Sequence, residues 1–396
     1  MNRFGPGALV AAAFIGPGTV TTCYLAGVDF GTSLFWALIF ATAATIVLQE
    51  MAARLGSAGQ TGLGEALLKT ARPGPLRWGV GALLIAAIAV GNAAYEGGNL
   101  AGGALGAEAL IGTETVSPRL IVVMLGLAAG VALIFGNYRS LETLLIALVG
   151  LMSGAFLVAL VLARPDLSSV ISGIRPKIPD GGALVTVALI GTTIVPYNLF
   201  LHAAASRERF SGADGVSAAR TDTAVAIAVG GLVSCAILLV ASQVQGSAST
   251  TNIALALEPT LGTAGRFVVG IGLLAAGFTS AVTAPMATGF VVSEIVGGEA
   301  EKRRKVFRIG AISVLIVGTI VASRGVRPTE LILVAQAANG ILLPVVAVYL
   351  MVVMNQRSVL GDNVNGILTN ALGLVVVSVA IFLGGFAIGR VLGIVT

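Results

Sequence analysis

Eleven apolar segments of membrane-crossing length fill this chain, and in two of them a short stretch around a central proline is read as a matched helix break. A bilayer core demands about 18 to 25 apolar residues per helix. On that measure the segments lie near 8–28, 33–53, 79–105, 118–136, 142–163, 182–204, 221–244, 266–292, 307–323, 329–354 and 367–393. The interrupted ones contain Ile15-Gly16-Pro17-Gly18-Thr19 and Ile194-Val195-Pro196-Tyr197-Asn198, with the prolines 179 positions apart. Proline removes an amide donor and crowds the carbonyl four residues back. In hydrocarbon, freed backbone groups are tolerated only where protein, water or a ligand meets them. A matched pair of breaks therefore marks the expected substrate site of a secondary carrier.

Composition supports the membrane reading. Only 10% of the residues are charged and 56% are hydrophobic, whereas a soluble domain carries roughly 25% charged residues. The runs are too long and too uniformly apolar for membrane strands, so the expected fold class is all-α. The first segment exceeds signal-peptide length and carries the Gly-Pro-Gly break, so it is read as a retained span. Cys23 and Cys235 both fall in apolar segments, which argues against a disulfide framework or a cysteine metal site. The basic residues are divided among short loops, which points to membrane orientation and away from nucleic acid. No Ser–His–Asp set or phosphate-binding glycine loop is present and His202 is the sole histidine, so no enzyme and no cofactor is expected. The implied partners are the lipid bilayer and a small transported solute or hydrated cation. The sequence sets no oligomeric state, and a monomer is compatible with it.

An odd number of spans puts the two ends on opposite sides. With the N-terminus in the cytoplasm, the inner side collects fifteen of the 23 Lys and Arg residues, including Arg54, Arg207, Arg220 and the run from Lys302 to Arg308. That asymmetry favours N-inside and C-outside in a cell (inner) membrane. An offset of about 180 residues lays the first break on the sixth segment and Glu96 near Ala275 to Ser280. Five spans per half force the halves to have inverted topology. The expected organisation is one transmembrane domain over 1–396, with repeats over about 8–163 and 182–354 and an extra helix over about 367–393.

The residues around the breaks resemble a known family. Gly16-Pro17-Gly18-Thr19, Phe30-Gly31, Leu48-Gln49 and Ala53-Arg54-Leu55-Gly56 are similar to the first two helices of the natural resistance-associated macrophage proteins (NRAMP), which are divalent-metal transporters. Val195-Pro196-Tyr197-Asn198-Leu199-Phe200-Leu201-His202 is similar to the sixth helix of that family. The resemblance continues through Arg303-Arg304-Lys305-Val306-Phe307-Arg308 and through Gln336 with Pro344. It implies a LeuT-type fold of two inverted five-helix repeats plus an eleventh helix, with a site between broken helices 1 and 6 and alternating access.

The departures fall on the family's working residues. Its first-helix motif, Asp-Pro-Gly-Asn, corresponds to a stretch that has Gly16 and Thr19 at the two ligand positions. Its sixth-helix motif, Met-Pro-His-Asn, has its thioether ligand replaced by Val195 and its proton-linked histidine by Tyr197. The remaining family ligand, a main-chain carbonyl, matches Thr192. A dehydrated manganese or iron ion needs a carboxylate or imidazole among its donors, and these positions supply neither. Two readings stay open. A cation that keeps most of its water, as magnesium prefers, would bind through Thr19, Thr192, Thr193 and Asn198. Alternatively, the half-helix after the break, with Gly16 and Gly18 allowing close approach, would hold the carboxylate of a small neutral or zwitterionic solute such as an amino acid. Which metal, if any, binds is not fixed by the sequence.

Other polar residues in the spans are weighed singly. Glu96 matches the family's conserved glutamate, but Ala93 stands where its companion aspartate belongs, so strong proton coupling is not expected. Glu96 and His202 form either a proton route or a structural polar network, and Arg308 is a possible ion partner for Glu96. Glu50 and Arg54, four residues apart, are expected to pair on one helix face. Phe278 replaces a family glutamine near the cavity, and Gln336 and Asn339 either face the substrate or join helices. The run from Lys302 to Lys305 is read as a topology signal. A non-transporting sensor or scaffold is a reading of another class, and a channel would leave the paired breaks unexplained.

Overall fold

Proline and glycine set the ends of the long helices. The computed structural model describes residues 6–7, 15–70, 74–112, 116–135, 139–210, 215–244, 253 and 257–391. The principal helices are α1 (Pro17–Phe30), α2 (Phe35–Ser57), α3 (Pro75–Ile111), α4 (Pro118–Phe135), α5 (Arg139–Ala163), α6 (Ala183–Thr193), α7 (Pro196–Arg209), α8 (Gly215–Ala241), α9 (Thr263–Val296), α10 (Ala300–Ala322), α11 (Pro328–Met354) and α12 (Ile367–Val391). Proline opens α1, α3, α7 and α11 within the first turn, where its missing amide leaves no bond unmade. Among the described residues there is no strand, so the chain is all-α as the sequence requires.

Ten stretches meet the length and hydropathy needed to cross a membrane, with α6 and α7 counted together. The eleventh expected segment, 8–28, lies partly outside the described residues, and α1 is its second part. Several boundaries differ from the sequence expectation, among them the start of the seventh segment, at Gly215 instead of 221. The third segment is longer, from Pro75 to Ile111, and ends where Gly112 adopts φ 81°. The ninth starts at Ala300 instead of 307, so Lys302 to Lys305 lie on the helix and not in a loop. Lysine, arginine and glutamate are good helix formers, so the helix continues past its apolar stretch into the polar boundary.

The helices sort into two groups. α3 packs along α9 and α10, while α2 packs along α7 and α8, and α1 lies against α8. α11 touches both groups, meeting α3 on one side and α6 on the other. The α3–α9 contact is close because glycines face each other: a methyl on Gly103 would stand 3.5 Å from the Gly277 Cα. Outward faces are apolar and exposed, as at Leu127, Val161 and Leu374, which suits a lipid solvent. Burial locates the centre of the fold. The α6–α7 stretch is 89% buried within its most apolar window, against 22% for α4.

Polar contacts cluster at both ends of the bundle. At one end Arg54 binds Glu50, at 3.0 and 3.1 Å, together with the Asn363 carbonyl and Asn365, while Arg220 also reaches Glu50 at 2.7 Å. The expected Glu50–Arg54 pair is therefore formed. At that same end Glu65, on a short helix Leu63–Thr70, binds Arg207 at 2.7 Å and Arg303 at 3.0 Å. The opposite end holds the Trp36 Nε1 bond to the Lys177 carbonyl and the Arg266 bond to the Ala109 carbonyl.

Candidate functional site

The sixth segment breaks where the sequence places its proline. α6 ends at Thr193, Ile194 and Val195 leave helical geometry with ψ 75° and 118°, and α7 begins at Pro196. Pro196 has no amide to offer the Thr192 carbonyl four residues back, so that carbonyl is released into the break. On the facing segment Gly16 is extended at φ −94° and ψ −177°, and Pro17 starts α1. The two breaks meet. Thr19 Oγ1 and Thr192 Oγ1 lie 2.8 Å apart in a hydrogen bond, and both side chains are fully buried.

α11 closes the third side. Gly18 has no side chain, and Gln336 occupies the space: a methyl there would stand 2.7 Å from the Gln336 Cδ. A methyl on Gly191 of α6 would likewise stand 2.6 Å from the Gly340 amide nitrogen of α11. Gln336, Asn339 and Asn198 are each 1% exposed. Both amide atoms of Asn198, both of Gln336 and the Asn339 Nδ2 have no hydrogen-bonding partner in the protein. Buried amides left this way cost free energy unless something else supplies the bonds. Thr19, Thr192 and Gln336 thus meet between the two breaks and α11, with Asn339 one turn further along α11 and Asn198 at the start of α7, and none of the five carries a charge. Among the described residues no group of three or more His, Cys, Asp or Glu side chains is placed to hold a metal ion.

Other expected site residues make apolar or aromatic contacts. Val195 is buried among apolar neighbours in the break. Phe278, on α9, is partly buried and packs between the two hydrophobic clusters. Tyr197 is fully buried, and its ring meets Tyr95 of α3 edge-on with centroids 5.6 Å apart.

Glu96 and His202 are not joined. His202 turns toward α2 and α8, with Nδ1 2.9 Å from Gln49 Oε1 and Nε2 3.3 Å from Thr223 Oγ1. Glu96 turns toward α10, where Gly318 makes room for its side chain. Its Oε2 accepts a long 3.5 Å bond from Asn99, and its Oε1 has no partner. The expected Arg308 partner is not there. Arg308 is exposed, ten residues before Gly318 on α10, or about 15 Å along the helix axis. Glu96 and Arg308 therefore sit at different depths, and their ion pair is corrected by the structure.

Sequence reasoning missed Tyr95, Gln49, Thr223, Glu65 and Glu294. Glu294 is buried at the end of α9 and accepts the Gly64 amide at 3.0 Å. Beside it, burial raises the pKa of Glu65. The hydrogen bond from Arg303 and the charges of Arg207 and Arg303 together outweigh that, so the carboxyl sits below its ordinary 4.5. The only local signal in the sequence was glycine at 62 and 64, which flank Leu63 and leave space for the Glu294 carboxylate.

Two broken segments meeting at a buried polar centre, with a group of helices on either side, define a membrane protein of the LeuT-type carrier fold. The sequence matches the natural resistance-associated macrophage protein-like (Nramp) family over residues 7–388, and the chain belongs to that family. It is 26% identical over 400 residues to the divalent metal cation transporter MntH of Yersinia pestis (strain Pestoides F), covering 98% of this chain and 94% of that one. Against the MntH of Burkholderia ambifaria the identity is 29% over 371 residues, covering 90% of this chain and 81% of the relative. Among solved structures, the fold is similar to a manganese transporter of Eremococcus coleocola at TM-score 0.76 and 22% identity, covering 98% of this chain and 86% of that one. It is also similar to MhsT, crystallised with L-phenylalanine, at TM-score 0.63 and 14% identity over 96% of this chain and 97% of that one.

Proposed function

We propose that this protein is a secondary transporter that moves a divalent cation with much of its water shell still attached, by alternating access around the meeting point of the two breaks. Family membership and the names of its relatives support the substrate class. One observation carries the finer reading: the polar centre offers hydroxyls, amides and a released Thr192 carbonyl, with no ionised side chain among Thr19, Thr192, Asn198, Gln336 and Asn339. Neutral dipoles cannot replace the hydration of a bare divalent ion, but their oxygens accept hydrogen bonds from metal-bound water.

Strong proton coupling is not part of this proposal. Glu96 and His202 face different helices, and His202 has both ring nitrogens engaged with Gln49 and Thr223. The membrane orientation belongs to the same proposal, with the Arg54–Arg207–Arg303 end in the cytoplasm and the repeats spanning about 8–163 and 182–354.

A second reading is favoured by the donors. The Asn198, Gln336 and Asn339 amide nitrogens lack acceptors, and metal-bound water is a poor acceptor. A small neutral or zwitterionic solute with a carboxylate would fill that role at the start of α1. Uptake of manganese and magnesium into proteoliposomes, with and without a pH gradient, separates the two. Saturable uptake by the native chain, insensitive to the gradient, is the expected result. Uptake only after Gly16→Asp with Thr19→Asn and Val195→Met would sink the metal reading and turn the search to organic solutes.

A further inference from the structure

α3 meets the groups around the site through a stripe of four residues, 91, 95, 98 and 102, that recur on one helical face. Three of the four are glycines, and they bring neighbours very close. A methyl on Gly91 would lie 3.3 Å from Asn339 Oδ1, one on Gly98 would lie 3.4 Å from the Ala335 Cβ, and one on Gly102 would lie 2.9 Å from the Pro17 Cγ. Tyr95 is the single large side chain in that stripe. It lies on α3 between Gly91, which meets Asn339, and Gly98, which meets Ala335, and its ring reaches Tyr197.

Tyr197 lies in the first turn of α7, between Pro196 and the unpartnered amide of Asn198. The rings meet at 68° with centroids 5.6 Å apart, the edge-to-face arrangement that ring quadrupoles favour. Both residues are fully buried. α7 otherwise packs on α2 and touches α3 sparsely. The other ring pairs among the described residues are Phe290–Phe307, joining α9 to α10, and Phe382–Phe386 within α12. Tyr95–Tyr197 is thus the one aromatic bridge described between α7 and α3, and it sits at the polar centre.

We propose that Tyr95 and Tyr197 form the barrier of this carrier: their rings tie the inner half-helix α7 to α3, close the passage from the polar centre toward the Arg207 end, and separate when a solute passes. The inference rests on the carrier reading. It adds two residues whose removal opens the site to one side of the membrane. Because the two rings form one contact, loss of either removes the whole barrier.

The test is the rate at which a membrane-impermeant thiol reagent modifies a cysteine at the centre. The reporter is Thr19→Cys in a Cys23→Ser and Cys235→Ser background, reconstituted in vesicles, with reagent added from each side. Tyr95→Ala or Tyr197→Ala is expected to speed modification from the Arg207 side about tenfold, the upper range of one aromatic pair. The double variant should add little to either single, and Tyr95→Phe and Tyr197→Phe should leave the rate unchanged because the rings remain. Unchanged rates in folded alanine variants, or single effects that multiply in the double, would overturn the barrier. If the alanine variants do not fold, Tyr95→Leu and Tyr197→His carry the test, and unchanged rates there overturn it equally. Manganese and magnesium uptake is measured in parallel on chains without the reporter. A parent that moves neither ion while the thiol rates behave as expected loses the metal reading and keeps the barrier. Uptake by the parent with thiol rates indifferent to both tyrosines keeps the carrier and removes the barrier.

Discussion

Gly191→Ala tests whether the close seating of α6 on α11 shapes the polar centre. The added methyl would point into backbone: it would stand 2.6 Å from the Gly340 nitrogen and 3.1 Å from the Gln336 carbonyl carbon, and closer still to the Gln336 carbonyl oxygen. Ordinary contact begins near 3.4 Å. Neither partner is a flexible side-chain tip, so relief requires the helices to part by roughly 1 Å, at the typical overpacking cost of about 1–3 kcal/mol. The displacement carries Gln336 away from Gly18, so the centre loses an amide as well as stability. Gly385→Ala, on α12, is the control, because a methyl there meets nothing within 4 Å. The assay is equilibrium unfolding of the purified protein in mixed micelles, run beside manganese and magnesium uptake. Gly191→Ala should unfold earlier than the parent by the stated amount and lose uptake, while Gly385→Ala should match the parent. If Gly191→Ala is as stable and as active as Gly385→Ala, the close α6–α11 seating has no part in the site.

Arg54→Met should destabilise the chain by about 2–4 kcal/mol, because it strands the buried Asn365 amide oxygen and the Asn363 carbonyl while Glu50 keeps Arg220; a loss below about 1 kcal/mol in the same unfolding assay would show the cluster to be ornamental. Glu65 gives a pH dependence with a defined sign. Its folded pKa is lowered from 4.5, so its ion pairs stabilise the chain above that value and their contribution disappears as the pH falls through the folded pKa. Stability curves for the parent and Glu65→Gln should therefore be separated by a modest amount near neutrality, since the pairs are partly exposed, and should converge below pH 4.5. Curves that stay parallel in acid would show that the ionised carboxylate is not the source of the difference.

What the sequence made legible was local. The α6–α7 break falls at Pro196, although proline by itself does not fix it, since Pro285 and Pro344 sit inside the unbroken α9 and α11, and the Glu50–Arg54 pair follows from a four-residue spacing. The long spans follow from hydropathy. What stayed hidden depends on helix depth and rotation, which no local pattern encodes. Arg308 and Glu96 belong to neighbouring helices, yet the levels at which α3 and α10 meet are set by Gly318 against Glu96, and a hydropathy profile does not contain that alignment. His202 finds Gln49, 153 positions away, and Arg54 finds Asn365, 311 positions away. Tyr95 reads in sequence as one more large residue of an apolar span. Its role emerges only when the glycines at 91, 98 and 102 are seen to bring everything around it close.

The exchange at Gly16 can be judged on backbone grounds before any transport is measured. Gly16 caps α1 at φ −94° and ψ −177°, an extended conformation open to any residue. Aspartate is a favoured residue at a helix N-cap, and its charge faces the positive end of the helix. The backbone at Gly16 therefore accepts aspartate, and the cost of the exchange is the burial of a charge beside neutral amides. That cost is what a metal ion would relieve. The chain carrying Gly16→Asp, Thr19→Asn and Val195→Met should be less stable than the parent in metal-free buffer and should recover on addition of manganese. At a concentration of 100 times Kd the gain is about 2.7 kcal/mol. The parent, with no carboxylate at that position, should gain much less from the same concentration. If the folded triple variant gains no stability from manganese, the geometry of the two breaks in this chain is not that of a metal site, and restoring the ligand side chains does not make it one.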